Sequence, residues 1–396
     1  MLSININYNK ISLFLLSTFP IAILTGSFLV NLFSILLAIL FLIYISTNKN
    51  IKLFQDKTLL FLLILFACFL ISSLFSNYQS KSVLKTLSFI RMLLFFLSIY
   101  YLTLRGEEER LFKLSKIVFF LSIFICIDLW IQHYIGENIL GYTKQQAGRL
   151  TSIFGDEQIP GSIIFKFFPF IIYYLLTLNN KTFLYRFKYL IFLFIYLSIL
   201  ITGERAASLM ATLFLFLMLI FNFILINKKK LLIYFFIFVI TFTFLYTNQH
   251  SIIKERILFT VHKQLNNNVY ETLFHNALNG LYKNPILGSG VQTYRYECPK
   301  YSNTCSTHPH NYILELLSDV GIVGCLSFLI FFIGIIYKKF KEIKENAFLK
   351  IFIATYSLSL FFPFMPTGSI FSSFSFNVSL FSLGFILAIN KKKFIF

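Results

Sequence analysis

Apolar residues run through this chain in long blocks with almost no charge inside them, separated by short polar segments. Blocks of roughly 17 to 25 residues have the length of an α-helix that crosses about 30 Å of hydrocarbon, and a helix satisfies its own backbone there. About twelve such helices are predicted, near 11–28, 30–46, 58–75, 84–104, 115–135, 159–178, 187–203, 205–226, 231–247, 311–337, 348–366 and 370–389, the first two sharing one apolar block around Gly26. Three polar segments carry more information than the rest: "GENILGYTKQQAGRLTSIFGDEQIP" (136–160), the tight turn "TGERAAS" (202–208), and a long loop over 248–310. Inside that loop, "VYETLFHNALNGLYKNP" (269–285) spaces Leu273, Phe274, Ala277, Leu278 and Leu281 as one face of an amphipathic helix, suited to lying on the bilayer or capping a cavity. The expected fold is an all-α integral membrane protein, a single polytopic domain over 1–396, with short helices in the loop 248–310.

Composition agrees with this pattern. Hydrophobic residues make up 57% of the 396, with 53 Phe and only 13% charged, more apolar material than a soluble core of this length buries. The net charge of +19 comes in clusters that fall in alternate short segments: Lys49, Lys52 and Lys57; Arg105, Arg110, Lys113 and Lys116; Lys181, Arg186 and Lys188; Lys228 to Lys230; Lys338, Lys339, Lys341, Lys344 and Lys350; Lys391 to Lys393. Cytoplasmic loops retain positive charge, so these segments and both termini are predicted inside, and 136–160, 202–208 and 248–310 outside. Charge here reports topology and speaks against a nucleic-acid partner. The first span is followed at once by others, so no cleavable signal peptide is needed.

Cys68, Cys126 and Cys325 lie in apolar spans, as small buried hydrophobes do. Cys298 and Cys305 instead flank the polar turn "CPKYSNTC" on the outer, oxidising side, where a disulfide pinning the approach to His308 and His310 is one reading. Ionisable groups inside or at the edge of spans are costly, and Arg91, Asp128, Lys166, Arg205, Glu315 and Asp319 stand there. Arg91 and Lys166 can snorkel to the interface, and Asp128 can serve a neighbouring helix. Arg205 is harder to dismiss, since a guanidinium near the outer ends of two spans suits phosphate oxygens.

"CSTHPHNYILELLSDVGIVG" (305–324) holds the remaining chemistry. A metal set of His308, His310, Cys298, Cys305 and Glu315 can be written on paper, but the spacing matches no standard zinc pattern. Pro309 fixes an extended turn and is expected to turn the two rings apart, while His310 and Asn311 open a long helix. An imidazole so placed can take a proton from a hydroxyl near neutral pH, or it can be structural. His133, His250, His262 and His275 lack such context.

"TGERAASLMA", "KNPILGSGVQTYR" (283–295) and "THPHNYILELLSDVGIVG" (307–324), with a weaker echo in "GRLTSIFGDEQIPGS" (148–162), resemble in order and spacing the O-antigen ligase and polymerase superfamily of polytopic bacterial membrane glycosyltransferases. The resemblance implies transfer of a glycan from an undecaprenyl-diphosphate carrier to an acceptor sugar hydroxyl at the periplasmic face of the inner membrane, inverting, with no cofactor, metal or nucleotide sugar. By the same resemblance His310 is the general base and Arg205 holds the diphosphate; His308, Asn311, Tyr270 and Glu315 are the expected supporting residues around them. One departure stands out. Many ligases carry a second essential arginine at the start of the outer helix, where this chain has Tyr270, which supplies at most a hydroxyl. Another outer cation is then needed, with Arg256 first, and Arg149 or Lys263 after it. The leading expectation is a ligase with a lipid A-core acceptor, the alternative a polymerase with a lipid-linked glycan acceptor. A flippase or transporter of lipid-linked sugars would call for paired broken spans or internal symmetry with charges near mid-membrane, whereas the charges here gather at the outer ends.

Overall fold

The computed structural model describes residues 8–48, 57–104, 108–145, 149–225, 269–343 and 346–390, with positions 236, 239, 240 and 243 between them. Among the described residues the chain is all-helical apart from two isolated bridges, Glu137 with Thr143 and Gln145 with Arg149. Among the described residues, five helices are long and apolar enough to cross a membrane: Ser27–Thr47, Lys57–Leu74, Gln79–Tyr101, Glu108–Ile135 and Tyr312–Glu342. Pro160–Lys166 and Phe168–Thr177, bent by 46°, make a sixth if taken as one span.

Among the described residues not all of the expected twelve appear as long helices, for reasons visible in the sequence. Gly26, at φ 114°, divides Tyr8–Thr25 from the following helix. Pro169 has no N–H to return to the carbonyl one turn earlier, which breaks 159–178 at Phe167. Ala347–Leu360 stops ahead of Pro363, and Lys188–Ile201 and Ser373–Ala388 are likewise shorter than a full crossing. Almost all of 231–247 lies outside the described residues, as does 248–268.

Two compact units emerge. The first comprises Met1–Glu107, Asn268–Lys344 and Pro363–Ala388. Here Tyr312–Glu342 packs along Lys57–Leu74, and Gln79–Leu97 is flanked by Ser27–Asn48, Lys57–Leu74 and Ser373–Ala388. Lipid tails are as apolar as these side chains, so close packing and interhelical hydrogen bonds hold the helices together. Phe89 stacks on Phe69 at 5.1 Å and on Phe376 at 5.5 Å, while Ser73 bonds Thr86 at 2.6 Å and accepts from Ser82 at 2.7 Å. The amphipathic helix forms as Val269–Lys283 and lies against Tyr312–Glu342, burying Leu273, Asn276, Ala277 and Gly280. Phe274, Leu278 and Leu281 are only half-buried.

The second unit comprises Glu108–Asn267, Glu345–Phe362 and Ile389–Phe396. Glu108–Ile135 packs on Phe168–Thr177, and Arg205–Leu225 on Ala347–Leu360. Phe214 anchors the second of these pairs, 5.8 Å from Phe352 and 5.9 Å from Phe168.

Candidate functional site

The long helix Tyr312–Glu342 starts and breaks at defined points, and the candidate residues gather around both. Asn311 caps it: its side-chain oxygen accepts from the Ile313 and Leu314 amides at 3.0 Å each, and its amide nitrogen donates to the Pro363 carbonyl. Ten residues after that cap, Gly321 adopts φ 67°, ψ −172°, and the helical ladder is interrupted. The loop 285–290 takes over the stranded groups. Pro285 and Ile286 carbonyls accept from Ile322 (2.9 Å) and Val323 (3.2 Å), while Ser289 and Gly290 amides donate to the Ser318 (3.1 Å) and Asp319 (2.7 Å) carbonyls. Thus "NPILGSG" and "SDVGIVG" are partners, the one repairing the backbone that the other breaks.

His310 sits just before the cap with φ 56°, a left-handed conformation that costs on the order of 1–3 kcal/mol outside glycine and gathers at functional sites. Its carbonyl accepts from the Thr367 amide at 2.8 Å. The imidazole Nε2 lies 3.3 Å from the Ser306 hydroxyl, and the ring meets Tyr270 edge-on at 5.8 Å. The His308 and His310 rings are 4.1 Å apart at 50°, so Pro309 does not separate them. The left-handed turn at His310 folds its ring back over His308, which the extended geometry expected from Pro309 alone would not do.

Burial holds the His310 imidazole below its ordinary value. Burial, followed by the charges of His310 and Arg295, pushes His308 down to about 4 against an opposing contact from the Thr367 backbone. Both rings are accordingly neutral near pH 7, and a neutral ring is the form that accepts a proton. The base form of His310 survives below its unperturbed pKa of about 6.5, so the acid limb of kcat/KM is expected below that pH. A pH profile of glycan transfer checks this, and a limb centred at or above it contradicts the assignment.

Glu315 and Asp319 are one turn apart on the same helix face and are both fully buried. Glu315 accepts from the Ser369 hydroxyl and from the Ile370 amide at 2.8 Å, and Asp319 from the Tyr294 amide at 2.8 Å. They anchor the segments that flank the histidines. Arg295, half-buried on the short helix Tyr294–Glu297, acts electrostatically on His308, Glu315 and Asp319. It ends the segment 283–295 and stands outside the apolar spans, where the sequence gives a charge no cost that would mark it.

Cys298 and Cys305 are joined by a disulfide with their Cα atoms 5.8 Å apart. Asn276, on the buried face of the amphipathic helix, donates to Ser302 (2.8 Å) and to the Thr304 carbonyl (3.3 Å), tying the bridged loop down. Thiol labelling of unreduced protein is expected to leave both cysteines unmodified. Replacing both by serine is expected to cost about 2–4 kcal/mol of local stability and to lower the melting temperature. Full labelling without reductant rules the bridge out.

The second unit holds its own polar cluster. Glu204, in the turn ahead of Arg205, accepts from the Gly161 (2.6 Å) and Ser162 (3.2 Å) amides at the broken helix Pro160–Lys166. Burial pushes its carboxyl up to about 7, against the pull of those amides and of Arg149. The Leu150 amide donates to the Thr202 carbonyl at 3.3 Å, and Arg149 bonds Gln158. Asp128 takes the Ile139 amide (2.9 Å) and the Ser152 hydroxyl, and Gln132 takes the Thr151 and Ser152 amides at 2.9 Å each. Asp128 therefore shapes the loop that carries Arg149. In the first unit Arg91 reaches Asn31 at 3.4 Å, a packing role.

His308, His310, Asn311, Tyr270, Glu315 and the cysteine pair thus share one unit, and Arg205 and Arg149 share the other; Arg256 lies outside the described residues. Residues 189–329 match the O-antigen ligase family. The matched segment contains the Arg205 turn, the amphipathic helix, the loop 283–295 and the histidine motif, and so bears out the superfamily resemblance read from those pieces. Arg149 and its loop fall outside it. No curated protein matches the chain. With its apolar helices, the O-antigen ligase match makes this a multi-pass membrane protein.

Proposed function

We propose that the chain is an O-antigen ligase that moves a glycan from an undecaprenyl-diphosphate carrier to a sugar hydroxyl of lipid A-core. It works at the periplasmic face of the bacterial inner membrane, which a single polytopic domain crosses about twelve times with both termini in the cytoplasm. What carries the reading is His310: a neutral, half-buried imidazole at the start of a broken helix, inside the segment that matches O-antigen ligases.

The acceptor O–H gives its proton to His310 as its oxygen attacks the anomeric carbon. The bond from that carbon to the phosphate oxygen breaks, its electron pair leaving with the carrier diphosphate, and the configuration inverts. Arg205, with Arg256 and Arg149, offsets the charge that grows on the leaving group, usually the largest contribution in such transfers. Tyr270 offers a hydroxyl, and His308, Asn311 and Glu315 hold His310 in place. No metal or cofactor enters the scheme.

The glycolipids of a deletion strain test it. Loss of polymer from the core with accumulation on the carrier is the expected result. Cores capped by single units point to the polymerase reaction instead. Unchanged surface glycolipid overturns both.

A further inference from the structure

We propose that Arg295 binds an oxyanion, a phosphate or carboxylate group of a substrate, at the histidine site. The proposal rests on the transferase reading for the substrate's identity, but the site itself is argued from the geometry. Arg295 has a fixed backbone: the neighbouring Tyr294 amide donates to Asp319 at 2.8 Å, the Tyr294 hydroxyl reaches the Leu273 carbonyl at 3.0 Å, and Cys298 follows with its disulfide. Its side chain is half-buried, and the guanidinium Nε is buried with no hydrogen-bond partner. Among the described residues Arg295 makes no hydrogen bond or ion pair, although its charge reaches His308, Glu315 and Asp319.

The nearby carboxylates do not engage it. Both Glu315 oxygens are taken by Ser369 and Ile370, and Asp319 spends one oxygen on Tyr294. Lysine is treated differently a few residues on, where Lys300 bonds Glu297 at 2.6 Å and Lys283 stands 3.8 Å from it. Four more polar atoms around the histidine site are buried and unmatched: His308 Nε2, Asp319 Oδ2, the Thr367 hydroxyl and the Gln292 side-chain oxygen. The Thr367 hydroxyl belongs to the residue whose amide holds His310, and the Gln292 carbonyl oxygen belongs to a residue at φ 59°, three before Arg295. Thr367 is 8% exposed. Buried polar groups are nearly always satisfied, so a cluster of unmatched atoms beside the histidines leaves room for a ligand to supply their partners. A guanidinium fork matches the paired oxygens of phosphate or carboxylate, and the hydroxyl and amide oxygen suit sugar hydroxyls beside it.

This oxyanion belongs either to the carrier diphosphate of the donor or to an acidic group of the acceptor. The full chain in lipid nanodiscs distinguishes them by thermal stabilisation with three probes: inorganic pyrophosphate, undecaprenyl diphosphate, and lipopolysaccharide lacking the polymer. Pyrophosphate is expected to stabilise the wild type, with apparent affinity falling about tenfold or more in Arg295→Gln and less in Arg295→Lys. The lipid probe that shows the same loss is the source. If Arg295→Gln does not fold, Arg295→Gln combined with Asp319→Asn removes the opposing charge and carries the comparison, and Arg295→Lys carries it if that variant also fails. Pyrophosphate binding unchanged by the substitution overturns the site, whatever glycolipids a deletion strain shows. Pyrophosphate binding that depends on Arg295, with neither lipid probe bound by the wild type, keeps the site and overturns the transferase reading. A wild type unmoved by all three overturns both.

Discussion

His310→Ala is expected to lower glycan transfer by about 10²–10⁴-fold, the range lost with a positioned general base. Protein level and membrane insertion should be unchanged, because the fold uses the His310 backbone and hardly its ring: the carbonyl holds Thr367, and the cap is Asn311. The ring itself meets Ser306, His308 and Tyr270, all partly exposed neighbours. His308→Ala is expected to cost far less. Its ring is neutral, bonded to Thr307 at 3.1 Å and held down to about 4, so it supplies no charge and is a weak base. Transfer assays on membranes with matched protein levels decide the matter, and near-normal activity in His310→Ala would remove the base from the mechanism.

Gly321→Ala is expected to have the largest effect on folding. Its φ and ψ fall in a region that is essentially glycine's own, and a Cβ there would lie 2.3 Å from the Ile286 carbonyl oxygen, which is backbone and cannot swing aside. Gly288 is caught in the same contact from the other side, its added Cβ 2.4 Å from the Asp319 carbonyl oxygen. Either the loop withdraws or the helix straightens, and both choices strand carbonyls or amides. Each buried group so orphaned costs about 1–3 kcal/mol, and hydrocarbon offers no water to replace the partner. A total above about 4 kcal/mol is expected, enough to abolish monodisperse protein. Gly368→Ala is the control, since a Cβ there meets only Ser375 at 3.6 Å and the change should be within about 0.5 kcal/mol. Size-exclusion profiles and melting temperatures report both, and a Gly321→Ala protein that melts like the wild type would refute the loop-in-helix account.

Much of this molecule is legible along the chain because its determinants are local. Apolar block length fixes which segments become helices, as Lys57–Leu74 and Glu108–Ile135 show, and Pro169 and Gly26 announce where helices divide. The Asn311 cap and the amphipathic helix 269–283 follow from residue type and spacing alone. Span number was less secure, since hydropathy measures how apolar a block is and not whether its backbone stays helical across it. Partnership was decided elsewhere. Nothing in "LGSG" or "SDVGIVG" says that the two segments exchange backbone hydrogen bonds, because the exchange depends on two glycines meeting at close approach across more than thirty positions of chain. The same holds for the paired histidines, which a left-handed His310 brings together despite Pro309, and for Arg295, whose importance lies in which neighbours decline to bond it. Residue type and spacing set the helices and the candidate chemistry; burial, backbone handedness and the allocation of hydrogen-bond partners are properties of the packed chain, and they decided which of those candidates stand together.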